Sequence, residues 1–145
     1  MTEVFFISLI AFLGFPSGVF LSWWIKEEVK PGIKYFFLTM ILTVSVYLYA
    51  ALVQFSVFLA GFAALAFLIF SLLKPNAHIT WLVFPLLGLA LFIATTPEQG
   101  VLMGSLTFLY GMAAAGYASL RYPLMKNVLY HVPYLAIVIL LVVIA

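Results

Sequence analysis

Charged side chains divide the chain into long apolar runs. They occur at Glu3, Lys26, Glu27, Glu28, Lys30, Lys34, Lys74, Glu98, Arg121 and Lys126, and the charge-free stretches between and after them measure 22, 39, 23, 22 and 19 residues. A helix crossing the hydrocarbon core of a bilayer needs about 20 mostly apolar residues. Four stretches therefore hold one helix each and the 39-residue stretch holds two, divided at Gln54, its only amide. The pattern predicts helices over 4–25, 35–53, 56–73, 77–95, 101–120 and 128–145. Lys26–Lys34, with the turn pair Pro31-Gly32, is predicted as a loop, as are Pro75-Asn76, Thr96-Pro97-Glu98-Gln99-Gly100 and the segment from Arg121 to near Asn127. The expected fold is an all-α integral membrane protein, a six-helix transmembrane bundle occupying residues 1–145 as a single domain.

Composition agrees with this reading. Of the 145 residues 68% are hydrophobic and 7% charged, against about 45–50% and about 25% in an ordinary soluble domain. There is no cysteine, which excludes disulfides, thiol catalysis and iron–sulfur ligation. Six dispersed basic residues form no stripe that could track phosphates, so nucleic acid is not an expected partner. The acidic Met1-Thr2-Glu3 start and the length of the first run argue against a cleavable signal peptide.

Charge placement also predicts an orientation. With six helices and the N-terminus outside, Lys26, Lys30, Lys34, Lys74, Arg121 and Lys126 all fall in loops on one side, and Glu3 and Glu98 on the other. That satisfies the positive-inside rule. The expected location is the plasma membrane, with both termini outside and the basic loops cytoplasmic. Trp23, Trp24, Tyr35, Trp81, Tyr122 and Tyr130 flank the basic loops as interface anchors.

Six helices can be two inverted sets of three, an arrangement that puts binding sites near the midplane of transporters. Phe15-Pro16 and Phe84-Pro85 lie 69 residues apart, each mid-helix. At an offset of 68, Leu38, Thr39, Tyr49, Ala50 and Leu52 match Leu106, Thr107, Tyr117, Ala118 and Leu120. Each proline removes one backbone hydrogen bond and frees a carbonyl, which makes a hinge, a ligand contact or a packing kink.

Hydroxyls recur at helical spacing in helix two (Thr39, Thr43, Tyr47) and helix five (Thr107, Tyr110). A hydroxyl facing lipid lacks partners, so both stripes should face protein or a cavity. One reading is a midplane pocket between helices one, two, four and five, with Pro16, Ser17, Thr39, Thr43, Tyr47, Pro85, Thr107 and Tyr110 as substrate-binding residues. The other is interhelical hydrogen bonding, or closure of each hydroxyl on its own helix. Gly14 and Gly18, Gly61, and the series Gly104, Gly111, Ala115 and Ala118 read as close-packing faces. His78 and His131 read as interfacial residues near the basic side, with no ligand spacing for a metal. The leading expectation is a small transporter or channel-like protein for a neutral or weakly polar solute, without cofactor or metal. The alternative is a non-catalytic structural or assembly subunit of a membrane complex. Expected partners are membrane lipids and either a second copy or other subunits of such a complex. Paired carboxylates and a nucleophile–base pair are missing, which places an intramembrane enzyme last.

Overall fold

The computed structural model describes residues 2–24, 26–73, 80–120 and 123–144. These residues form helices and short turns, with no strand among them: α1 (Thr2–Phe12), α2 (Gly14–Trp24), α3 (Lys26–Leu52), α4 (Val57–Leu73), α5 (Thr80–Ala90), α6 (Pro97–Ser119) and α7 (Leu124–Ile144), with a 3₁₀ turn, Leu91–Ile93, closing α5. Three helical stretches are long and apolar enough to cross a membrane: Glu3–Trp24, Pro31–Leu52 and Pro97–Ser119. The predicted loop at Pro75-Asn76, with Lys74 and His78, and the pair Arg121-Tyr122 lie outside the described residues.

Three boundaries differ from the sequence pattern, each because helix continues into polar sequence. Lys26–Lys34 is not a loop but the opening of α3, with Pro31 inside the helix. Its first turn includes Glu27 and Glu28. Residues 97–100 are likewise the first turn of α6. Thr96 caps it by accepting a hydrogen bond from the Gln99 N–H at 3.2 Å, and Pro97 takes the first helical position, where its missing N–H costs nothing. Finally, α7 begins at Leu124, so Asn127 is helical, its N–H bonded to the Pro123 carbonyl at 3.2 Å.

Pro16 accounts for the break between α1 and α2. It has no N–H to give the Phe12 carbonyl, and the chain tightens so that Leu13 N–H bonds to Ile10 O at 3.0 Å. The two segments still form one apolar stretch.

The central element is α6, which packs against α1, α2 and α3 and more lightly against α5 and α7. Glycines on both α2 and α6 set how closely those neighbours approach. A Cβ at Gly14 or Gly18 would fall on the backbone carbonyl of Phe108 or Met112, and one at Gly104 on the Ile7 side chain. These faces therefore bring α1 and α2 onto α6 within the chain. Gly61, on α4, faces open space. α4 packs along α3 and makes little other contact, so Phe58 is 91% and Phe62 73% exposed. Inverted three-helix symmetry would pair α3–α4 packing with α6–α7 packing, but among the described residues the first is extensive and the second slight.

Side-chain contacts also sort the bundle ends. Ile7 lies against Gly100 and Gly104, and Gln54 meets Thr95, so the start of α1, the α3–α4 turn and the start of α6 share one end. Asn127 bonds Ser119, and Phe36 lies against Gly116, which puts the start of α3, the end of α6 and the start of α7 at the other.

Candidate functional site

At the first of these ends, three side chains tie the two turns together. Gln99 Nε2 donates to the Ala50 carbonyl at 2.8 Å, and Gln99 Oε1 accepts from the Thr95 N–H at 2.9 Å. The Thr95 hydroxyl lies 2.8 Å from Gln54 Oε1 and 3.1 Å from Gln99 Oε1, so its single proton serves one of them. The clasp satisfies the α3 C-terminal carbonyl of Ala50 and one N–H beside α6, groups that helix ends leave unpaired.

Deeper in the bundle, four helices contribute buried hydroxyls: Ser8 from α1, Tyr47 from α3, Thr107 from α6 and Tyr134 from α7. Each has a backbone carbonyl as acceptor. Tyr47 donates to Leu87 O at 2.6 Å and Tyr134 to Ser8 O at 3.0 Å, while Ser8 and Thr107 each donate at 2.8 Å to the carbonyl one turn earlier, Val4 O and Met103 O. Rings fill the space beside them. Phe84 stacks on Tyr134 with centroids 4.3 Å apart and on Tyr110 at 6.1 Å, and Phe12 stacks on Tyr134 at 5.8 Å. Gly88 and Gly111 make room, since a Cβ at either would collide with the Tyr134 or Phe84 ring.

The eight residues expected to line a pocket are divided by the structure. Thr43, Tyr47, Pro85, Thr107 and Tyr110 are buried. Tyr47 also stands beside Thr107. Thr39 faces outward. Ser17 is half-buried and closes on its own helix, its hydroxyl 2.8 Å from Leu13 O. Pro16 is exposed and borders an apolar groove of about 290 Å³ between α2 and α7, lined by Phe15, Val19, Phe20, Trp23 and Val128 as well. Trp23, at the end of this groove, and its neighbour Trp24 are 74% and 73% exposed.

A second polar group was not anticipated. Asn127, His131 and Tyr134 are all buried on one face of α7. His131 is buried among the helices, and the earlier start of α7 places it two turns along that helix. Phe15 stacks on its ring at 4.3 Å and Phe84 meets it edge-on at 5.3 Å. The residues preceding Pro16 and Pro85 therefore converge on one histidine. The signal was present as polar residues at positions i, i+4 and i+7 of the last helix. Among the described residues no group of three or more His, Asp or Glu could hold a metal.

Comparison with protein-family models finds no match, and comparisons with curated proteins and with solved structures find none either.

Proposed function

We propose that this chain is a six-span integral membrane protein acting as a non-catalytic structural subunit of a membrane assembly. In this reading Glu3 and Glu98 face outward and the basic ends of the helices face the cytoplasm. The observation that carries it is the filled centre. Tyr47 and Thr107, the hydroxyls best placed to meet a solute, are bonded to backbone carbonyls, and stacked rings occupy the space around them. Those two hydroxyls close the fold. The outward apolar side chains of α4 supply a surface for lipid or a neighbouring subunit.

Transport of a neutral solute is the second reading. It is favoured by the convergence of Phe15-Pro16, beside the α1–α2 break, and Phe84-Pro85, inside α5, on His131, because prolines are the common sites of helix kinks. Two measurements separate the readings. Extraction in a mild detergent should yield stoichiometric membrane partners if the chain is a subunit. Reconstitution into liposomes should give no solute flux above empty vesicles. Flux that a Pro16→Ala/Pro85→Ala double variant diminishes would establish transport instead.

A further inference from the structure

Asn127 and His131 stand one turn apart on the buried face of α7, and their hydrogen bonds determine what each can still accept. His131 Nδ1 lies 2.8 Å from the Asn127 carbonyl oxygen. A carbonyl only accepts, so Nδ1 carries the proton and Nε2 presents a lone pair. Asn127 Nδ2 donates to Ala115 O at 3.1 Å and to Ser119 Oγ at 2.8 Å. Those two bonds orient the amide and leave Oδ1 as an acceptor. Both Oδ1 and Nε2 are buried and have no hydrogen-bond partner among the described residues, although buried polar atoms are nearly always partnered.

We propose that Asn127 Oδ1 and His131 Nε2 together bind one small neutral molecule that donates two hydrogen bonds, a buried water. The chemistry narrows the ligand in three steps. Both atoms are acceptors, so the ligand must donate to each. Among the described residues the buried polar set is Ser8, Ser22, Thr43, Ser45, Thr107, Asn127 and His131, with no carboxylate. A cation there would be an uncompensated buried charge, so the ligand is neutral. Number decides the rest. One water donates two hydrogen bonds of about 2.8 Å each, which matches the two open acceptors one turn apart on α7. Ser119, the last residue of α6, is half-buried and bonds Asn127 directly, so Asn127 faces the end of α6. Once bound, the water holds His131 in a single tautomer with its ring against Phe15 and Phe84.

The test is nuclear magnetic resonance of the full chain in bilayer nanodiscs with ¹⁵N,¹³C-labelled histidine. The chain has two histidines, and a His78→Asn variant distinguishes their signals. His131 should show a protonated Nδ1, an unprotonated but hydrogen-bonded Nε2, and a cross-peak from its Cε1–H to a long-lived water. In Asn127→Leu the water cross-peak should be lost and Nε2 should shift towards the position of an unbonded nitrogen, with the ring still folded against Phe15. A protonated Nε2 in the parent protein, or the absence of a bound-water contact there, overturns the proposal without any variant. An Nε2 signal unchanged by Asn127→Leu overturns the sharing of one molecule between the two atoms.

Discussion

Tyr47 on α3 gives its hydroxyl proton to the Leu87 carbonyl on α5, 2.6 Å away, across a pair of helices that otherwise touch little. Leu87 lies in the last turn of α5, just before the helix tightens into the 3₁₀ turn at Leu91. Removing this hydroxyl should be felt as lost stability. Tyr47→Phe should lower the free energy of unfolding by about 1 kcal/mol, the net worth of a typical protein hydrogen bond. Unfolding in mixed micelles measures it. If the loss stays below the noise of the titration, this bond is not holding α5 to α3.

Close approach of α2 to α6 makes a sharper contrast. A methyl group at Gly18 would meet the Met112 carbonyl, a backbone atom that no side-chain rotation can move aside. Gly18→Ala should destabilise by about 1–3 kcal/mol through overpacking. Gly61→Ala meets open space and should stabilise by up to about 1 kcal/mol, since alanine is the better helix former. Equal effects at the two glycines would contradict the packing described.

The clasp at Gln99 predicts a coupled effect. Gln99→Ala removes the bonds to Ala50 O and to the Thr95 N–H together, and a loss of about 1–2 kcal/mol is expected. Because Thr95 is shared, Gln99→Ala and Gln54→Ala should be non-additive in a double-mutant cycle. Strict additivity would mean the two glutamines act independently.

Topology can be mapped directly, since the chain has no cysteine to remove. With a cysteine at Glu98, a membrane-impermeant maleimide should label intact cells. With one at Lys34, labelling should require permeabilisation. The opposite pattern would invert the proposed orientation, and labelling of both in intact cells would break the six-span reading.

Much of the helical layout was legible because the breaks between helices are chemically marked. Gln54 falls in the α3–α4 turn, Val53–Phe55, and Pro16 lies beside the interruption at Leu13. Boundaries slipped where polar residues were read as loop. Lys26–Lys34 and 97–100 contain proline, but near a helix start a proline displaces few hydrogen bonds, and Thr96 with Gln99 supplies the cap. The candidate pocket was legible only in part. Thr39, Thr43 and Tyr47 follow helical spacing, yet at about 100° per residue Thr39 and Tyr47 end up about 80° apart. Tyr47 is buried and Thr39 is exposed. The polar face of α7 does not show in the sequence pattern while Asn127 reads as loop, because only a helix running from Leu124 puts it in register with His131 and Tyr134.

By itself the sequence determined that the chain is helical and where the long apolar runs lie. Those follow from how scarce charge is and from the length that a run without charge must have. Which side of each helix turns inward was decided only by tertiary structure. The outward faces carry more Leu, Phe and Val than the core, which is rich in Ala and Tyr, so hydropathy does not pick out the inward side. Shape does: the glycines at 14, 18, 104 and 111 admit a neighbour's backbone or ring, and the hydroxyls of Tyr47 and Tyr134 find carbonyls on other helices only once those helices are in place.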